Sequence, residues 1–275
     1  MIRLAVRCRP QQAEIVLAEL LQIAPGGVEE VGSVGGDFVE YAIYGAEGEL
    51  PELGSVEAVA GAGTVAITAE RIPDDWADRW RDFHEPTVIA GGRVVIRPSW
   101  HENPQPGAID VCIDPGQAFG TGAHPTTRMC VELLLRLADD GRATGPLVDL
   151  GTGSAALAIV AAKLGWGPVT GVDSERAAIE AATENAAAND ARVELVRMNL
   201  REETPPGAET VVANLTAPLL CAIAPAFAEP PRRLVCSGLL ARERADLEAA
   251  FAGAGLEVRD RMDSGDWAAL LLERA

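Results

Sequence analysis

The chain has 275 residues, of which 48% are hydrophobic and 23% are charged, a balance typical of a globular protein with one or two domains. Its 23 basic and 41 acidic residues give a formal charge of −18, and only 4% of residues are aromatic, which disfavours direct nucleic-acid binding by phosphate neutralisation or base stacking. Five cysteines without a CxxC pair, three histidines and no apolar run of about 18 residues predict a cytoplasmic protein without a disulfide framework, a metal site or a membrane contact.

Strand and helix patterns alternate over the first seventy residues. Apolar periodicity predicts six elements, which in chain order are a strand at 2–8, a helix that starts at Pro10, strands at 28–34 and 38–44, a weak helix at 52–60 and a strand at 64–69. This order predicts a small ferredoxin-like α+β domain over residues 1–70. Residues 1–75 hold four arginines against thirteen acidic residues, so half of the net charge lies here and a basic partner is expected.

The segment 71–107 is predicted to link this domain to the rest of the chain. Its first residues, Pro73-Asp74-Asp75, are typical of a helix start. Three aromatic side chains then fall on one helix face, as expected of a packed linker helix: Trp76, Trp80 and Phe83. A short pair of strands is expected to turn at Gly91-Gly92.

From residue 108 onwards, strands and helices alternate to the end of the chain. The patterns predict strands at 147–150, 169–172, 192–197, 210–213, 233–236, 256–261 and 267–272, and helices at 155–164, 175–188, 217–228 and 241–253. Such alternation predicts a parallel sheet covered by helices, hence an α/β domain over 108–275. Because no helix separates the last two strands, they are expected to form an antiparallel hairpin at the sheet edge.

A glycine turn follows the first strand of this domain, in the sequence Val-Asp-Leu-Gly-Thr-Gly-Ser at 148–154. Glycines at this position let the backbone approach a ligand closely. Gly151 and Gly153, with Ala156, also match the dinucleotide-binding pattern, which leaves an NAD-dependent oxidoreductase as an alternative. Asp149 disfavours that alternative, because a carboxylate would repel a pyrophosphate but suits the cationic amino end of a methionine moiety.

Two further polar residues end predicted strands. Asp173 follows Gly151 by 22 residues, as expected of an acid that accepts hydrogen bonds from both hydroxyls of a ribose. Asn214 follows the fourth strand, and ligands of open α/β sheets bind at the carboxyl ends of strands. The structural alternatives are a solvated helix cap for Asp173 and an ordinary helix N-cap for Asn214.

The segment 114–127 reads Asp-Pro-Gly-Gln-Ala-Phe-Gly-Thr-Gly-Ala-His-Pro-Thr-Thr. Its three glycines permit the loop to wrap around a ligand, and Pro125 suits the first turn of a following helix. Thr126 and Thr127 would then present hydroxyls, and the turn would present free N–H groups, to whatever binds there.

Taken together, the segments 114–127, 149–154, 214–217 and Asp173 resemble the ribosomal protein L11 methyltransferase (PrmA) family of class I, S-adenosylmethionine-dependent enzymes. The resemblance reaches from about residue 75 to 275, and the Phe-Gly-Thr-Gly-x-His-Pro-Thr-Thr loop is its most specific part. It implies a Rossmann-like, seven-stranded methyltransferase domain and an N-terminal domain that recognises the substrate. Ala155 departs from the family's third glycine, and Asn-Leu-Thr-Ala replaces its Asn-Ile-x-Ala pattern.

The resemblance implies S-adenosylmethionine contacts at Thr127, Gly151, Asp173 and Asn214. The complete set of predicted cofactor-binding residues is Phe119, Thr126, Thr127, Asp149, Gly151, Gly153, Asp173, Asn199 and Asn214. Asn214 is also the first catalytic candidate, since carbonyl acceptors must hold a neutral amine. His124 is the second, as a proton shuttle, with the alternative that it shapes its loop by hydrogen bonding.

The resemblance also implies methylation of amino groups, on lysine or at the N-terminus, of a basic ribosomal protein such as L11. The absence of an aromatic residue at 215–217 disfavours glutamine or adenine as the acceptor. Two alternatives stay open beside the oxidoreductase: a lysine methyltransferase for a non-ribosomal protein, such as an electron-transfer flavoprotein subunit, and a non-catalytic S-adenosylmethionine-binding module. A monomer is expected.

Overall fold

The computed structural model describes residues 2–9, 12, 16, 20, 29–34, 38–45, 66–71, 84–114 and 122–274. The chain divides into two compact units, Met1–Phe83 and His84–Ala275. Among the described residues, no helix is long and apolar enough to cross a membrane.

The first unit contains an antiparallel four-stranded sheet. Its strands are β1 (Ile2–Cys8), β2 (Glu29–Val34), β3 (Phe38–Gly45) and β4 (Ala66–Arg71), in the order β2-β3-β1-β4. All four predicted strands are therefore confirmed, and the order is the one a ferredoxin-like unit requires. Val16 and Leu20 are helical and buried, and Gln12 lies in a 3₁₀ turn. The other residues of the first predicted helix and all of the second lie outside the described residues. The ferredoxin-like assignment stays a prediction.

The second unit begins with a small three-stranded sheet. It comprises β5 (Thr87–Ile89), β6 (Val94–Arg97) and β7 (Ile109–Cys112), with β5 antiparallel and β7 parallel to β6. The predicted turn lies between β5 and β6, where Gly91 and Gly92 have φ of 64° and 94°. The predicted linker helix lies outside the described residues. The division at residues 70 and 107 stays a prediction.

A seven-stranded sheet forms the centre of the second unit. Its strands are β8 (Leu147–Leu150), β9 (Val169–Asp173), β10 (Val193–Arg197), β11 (Thr210–Asn214), β12 (Arg233–Leu240), β13 (Leu256–Ser264) and β14 (Trp267–Arg274). The order is β10-β9-β8-β11-β12-β14-β13, and β14 runs in the direction opposite to the other six strands. The predicted hairpin is confirmed, with β14 inserted between β12 and the edge. Strand order reverses between β8 and β11, the position at which open α/β sheets bind ligands.

Helices cover both faces of this sheet because successive side chains of the buried strands point to opposite sides. Val212 belongs to one apolar cluster and its neighbours Val211 and Ala213 to the other. The helices are α1 (Pro125–Asp139), α2 (Ala156–Leu164), α3 (Arg176–Ala188), α4 (Ala217–Ile223) and α5 (Arg244–Gly253). The cluster with Val212 includes residues of α1, α2 and α3, and the other includes residues of α4 and α5. The predicted α/β fold is confirmed.

Two helix boundaries differ from the prediction by more than one residue. The helix predicted over 217–228 ends at Ile223 and continues only as a short 3₁₀ turn at Ala224–Ala226, because Pro225 cannot donate a backbone hydrogen bond. The helix predicted from 241 begins at Arg244, after another 3₁₀ turn.

Candidate active site

A cavity of about 220 Å³ lies at the carboxyl ends of β8, β9 and β11. Six of the predicted cofactor-binding residues are among its described lining: Thr127, Gly151, Gly153, Asp173, Asn199 and Asn214. These residues come from five separate places in 88 residues of chain and meet only through the sheet topology. The geometry therefore brings most of the predicted site together.

The glycine turn forms one wall of the cavity. Gly151 and Gly153 have φ of 71° and 52°, in the left-handed region that glycine adopts without strain. A Cβ atom on Gly151 would lie 2.3 Å from Cδ2 of Leu215, so the backbone passes directly against the opposite wall. The N–H groups of Gly151 and Thr152 both donate to the carbonyl of Val172 at 2.9 Å, which fixes the turn to β9.

Ala155 occupies the position where the family pattern has a glycine. Its backbone is left-handed, with φ of 65° and ψ of 15°, and this conformation costs alanine about 1–2 kcal/mol. Its N–H donates to the carbonyl of Thr152 at 2.8 Å, and its methyl group is buried in the core. Alanine therefore adopts at this position the left-handed backbone conformation that glycine adopts without strain.

Asp173 holds the turn and lines the cavity at the same time. One carboxylate oxygen accepts from the N–H of Gly153 at 2.9 Å, and the other accepts from the N–H of Glu175 at 3.0 Å. A carboxylate oxygen has two lone pairs, so each can still accept from a ribose hydroxyl. The N-cap of α3 is Glu175, so Asp173 is not itself the helix cap that was the alternative, and its contact with a ribose stays a prediction.

Asn214 connects the end of β11 to the first turn of α1. Its Nδ2 donates to Oγ1 of Thr127 at 3.3 Å. The N-cap of α4 is Thr216, so the alternative that Asn214 is an ordinary helix N-cap is wrong. The next residue, Leu215, donates its N–H to the carbonyl of Ser237 at 3.0 Å and contacts the bare backbone of Gly238. Asn214 is therefore held from both α1 and β12.

Asp149 lies beneath the turn, and it is not among the described residues that line the cavity. Its side chain is 1% exposed and accepts from Oγ1 of Thr152 at 2.7 Å. Burial raises the pKa of this carboxyl to about 7; hydrogen bonds from Thr152 and from the backbone of Ala158 oppose the shift, and the charge of Asp173 adds to it. The predicted contact with the amino end of methionine stays a prediction.

This raised pKa predicts how stability depends on pH. Between about pH 4 and pH 7 the folded chain keeps a proton on Asp149 that the unfolded chain has lost, so this group makes the free energy of unfolding fall as pH rises. We expect Asp149→Asn to gain thermal stability relative to the unaltered chain as pH is raised from 5 to 8, measured by thermal unfolding.

The matched control for this experiment is Asp139→Asn. Asp139 is exposed and forms an ion pair with Arg93, whose hydrogen bond lowers its pKa, so its protonation state should not change above pH 5. A constant difference between Asp149→Asn and the unaltered chain across this pH range would contradict the assignment.

His124 is the N-cap of α1. Its Nδ1 lies 2.7 Å from Oγ1 of Thr126 and accepts the N–H of Thr126 at 3.4 Å, while its ring packs edge-on against Trp267 with 4.8 Å between centroids. Burial lowers the pKa of His124, with a further contribution from Arg128. The contacts of His124 with Thr126 thus cap the start of α1, and its role in shaping the preceding loop stays a prediction. Neither residue is among the described cavity lining, and Phe119 lies outside the described residues.

The cavity lining also contains residues that the sequence analysis did not single out. The apolar ones are Leu157, Met198, Leu200, Leu215 and Leu219. Ser174 and Arg201 add polar groups, and Ser174 directly follows β9. Met198, Leu200 and Arg201 flank the predicted Asn199 directly after β10, so the rule that ligands bind beyond strand ends could have found them. Leu219 lies within α4, where nothing in the pattern separates it from a core residue.

Comparison with known proteins identifies the family. The profile described as "Ribosomal protein L11 methyltransferase (PrmA)" matches residues 46–275. The chain belongs to the ribosomal protein L11 methyltransferase family. A relative of that name from Chloroflexus aurantiacus is 38% identical over 232 residues, covering 73% of this chain and 69% of the relative. Another from Shewanella piezotolerans is 42% identical over 207 residues, with the same two coverages.

The fold agrees with the family. The crystal structure of ribosomal protein L11 methylase from Lactobacillus delbrueckii subsp. bulgaricus superposes with a TM-score of 0.59 at 30% identity, covering 68% of this chain and 98% of that one. This ribosomal protein L11 methyltransferase family member has the class I methyltransferase fold, and its cofactor is S-adenosylmethionine. Neither the oxidoreductase nor the flavoprotein methyltransferase alternative is favoured by these relationships.

The residues of the cavity fit this cofactor. Met198, Leu200 and Leu219 provide an apolar surface for an adenine ring, and Asp173 provides acceptors for ribose hydroxyls. Gly151 and Gly153 line the cavity with backbone that carries no side chain, which permits a ligand to approach the turn closely.

Proposed function

We propose that this chain transfers methyl groups to lysine and N-terminal amino groups of ribosomal protein L11. The match to the family profile over residues 46–275 carries the proposal, since the relatives that align with the chain are named for that substrate. The cavity supports it, because the amide of Asn214 ends β11 and no aromatic side chain follows it at 215–217, where the acceptor should lie. We expect the chain to act as a monomer in the cytoplasm.

When bound, S-adenosylmethionine supplies an electrophilic methyl group on a sulfonium. The protein must present a neutral amine to it, and deprotonating lysine at pH 7 costs about 4.6 kcal/mol from its usual pKa near 10.4. Because Nδ2 of Asn214 donates to Thr127, the amide oxygen is the atom that can accept an N–H of the amine. The apolar residues that line the cavity disfavour the charged form of the amine by desolvation, and this lowers its pKa.

His124 is proposed to accept the proton that the amine loses. Its lowered pKa keeps the imidazole neutral at pH 7, which is the state that a base requires. We expect His124→Ala to lower kcat by about 10- to 100-fold, which corresponds to a small general-base contribution. The Kd for S-adenosylmethionine should change by less than about threefold. Steady-state kinetics and calorimetry measure the two quantities.

A second variant separates proton transfer from helix capping. Asn is a good N-cap residue but no base, so His124→Asn should keep the start of α1 and still lose rate. If kcat is restored in His124→Asn, the histidine acts only as the N-cap of α1 and does not accept the proton. Loss of cofactor affinity with unchanged kcat would also rule out the proposed role.

The acidic N-terminal segment is proposed to capture L11. Residues 1–75 carry a net charge of −9, and attraction to a basic protein should be screened by salt. Raising ionic strength from about 0.05 M to about 0.5 M should raise the KM for L11 at least about fivefold and leave the Kd for S-adenosylmethionine nearly constant. A KM that does not depend on salt would mean that the charge only solvates the surface.

The substrate assignment is tested by radiolabelled methyl transfer into a bacterial lysate that contains unmodified ribosomes. The full chain should label one protein, and mass spectrometry of that band should identify L11. Labelling of a different protein would overturn the substrate assignment while keeping the methyltransferase activity.

A further inference from the structure

Helix α3 carries one buried asparagine, Asn185, and a second, Asn189, is the residue that caps its C-terminus. Asn185 and Asn189 are each only 8% exposed. Buried amides are nearly always hydrogen-bonded, because an unpaired one costs about 1–3 kcal/mol. Their partners therefore show what these residues do.

Asn185 holds the glycine turn. Its Nδ2 donates to the backbone carbonyl of Ser154 at 2.9 Å, and Ser154 is part of the cavity lining. The preceding residue, Gly153, is held at its N–H by Asp173. Two consecutive residues of the turn are thus fixed by side chains of the β9–α3 segment, one through a donor and one through an acceptor.

Asn189 holds the end of β7 as a neighbouring strand would. Its Oδ1 accepts from the N–H of Cys112 at 2.8 Å, and its Nδ2 donates to the carbonyl of the same residue at 2.7 Å. The same Nδ2 also donates to the backbone carbonyl of Asn185 at 2.8 Å. Cys112 is the last residue of β7 and stands two residues before Asp114, where the segment 114–127 begins in the sequence.

We propose that Asn185 and Asn189 are positioning residues for the cofactor. Asn185 of α3 holds the glycine turn, and Asn189, the C-cap of the same helix, holds the end of β7, so that both segments keep a fixed position relative to Asp173. This inference rests on the binding of S-adenosylmethionine in the cavity. Loss of either amide should lower cofactor affinity, because the turn would no longer be held in its binding geometry before the ligand arrives.

The experiment compares Asn185→Ala and Asn189→Ala with Thr183→Ala in the full chain. Thr183 is exposed on the same helix, and its Oγ1 donates to the carbonyl of Ile179 at 2.7 Å, so this control loses a side-chain hydrogen bond that does not reach the turn. Calorimetry gives the Kd for S-adenosylmethionine, methyl transfer at saturating cofactor gives kcat, and thermal unfolding gives Tm.

We expect the Kd to rise about tenfold in Asn185→Ala and about three- to fivefold in Asn189→Ala, the size of one or two lost hydrogen bonds. Thr183→Ala should stay within twofold, and kcat at saturation should stay within about threefold for all three variants. Asn185→Leu fills the same space without a donor and is used if the alanine variant does not fold.

Three outcomes overturn the proposal. An unchanged Kd with a lowered Tm would make the asparagines structural only, and failure of both Asn185 variants to fold would lead to the same conclusion. If the unaltered chain does not bind S-adenosylmethionine, the cofactor assignment itself fails. Normal binding by the unaltered chain and by every variant would instead overturn only the positioning role of the asparagines.

Discussion

Gly238→Ala is expected to reduce methyl transfer by about 100-fold or more and to lower the free energy of unfolding by about 3 kcal/mol. Gly238 has φ of 88° and lies at an irregularity in the pairing of β12 with β14. A Cβ atom there would lie 2.3 Å from the carbonyl oxygen of Leu215 and within 2.9 Å of its backbone N and C atoms. Since backbone cannot rotate away as a side chain can, Leu215 and with it Asn214 must move.

Gly255→Ala provides the control for this change. Gly255 has a similar φ of 81°, but a Cβ atom there would meet nothing within 4 Å. It should therefore show only the conformational cost of about 1–2 kcal/mol and keep its activity. Activity and chemical denaturation measured on both variants separate backbone strain from displacement of the site. Equal, small losses in both would show that the contact with Leu215 does not position Asn214.

Asn214→Ala is expected to lower kcat by about 10²- to 10³-fold, the usual effect of removing one group that holds the reacting atoms. The change removes the amide oxygen proposed to accept from the amine, together with the hydrogen bond to Thr127. Single-turnover measurements with saturating S-adenosylmethionine and L11 isolate the transfer step from binding.

Thr127→Val tests whether the amide must also be oriented. Valine keeps the shape of threonine and removes the oxygen that accepts from Nδ2 of Asn214, so we expect a smaller loss of about tenfold. If Asn214→Ala retained most of its single-turnover rate, the amide would not hold the amine, and backbone carbonyls would have to do so.

The sequence was sufficient to predict those parts of the fold that depend on local pattern. The β8 boundaries at 147–150 match because a short apolar run ends at a glycine turn, and the parallel sheet follows from the alternation of strands and helices. The end of α4 was missed although Pro225 was visible, since apolar periodicity continued past it. The place of β14 inside the sheet depends on tertiary pairing, which no local pattern specifies.

The candidate site likewise contains residues that the sequence predicts and contacts that only the folded chain shows. Asp173 and Asn214 were predictable because each ends a parallel strand, and such ends converge. The burial of Asp149 depends on how α2 packs over the turn. The supporting contacts of Gly238 and Asn189 join segments 23 and 77 residues apart in the chain, so they became visible only in the folded chain.

The most direct measurement is mass spectrometry of purified, unmodified L11 after incubation with this chain and S-adenosylmethionine, with peptide mapping of each modified residue. The proposed function predicts that whole methyl groups appear on lysine side chains or on the N-terminal amine, and that Asn214→Ala forms them far more slowly. Absence of methyl groups on L11, from a chain that binds S-adenosylmethionine in the same buffer, would contradict it.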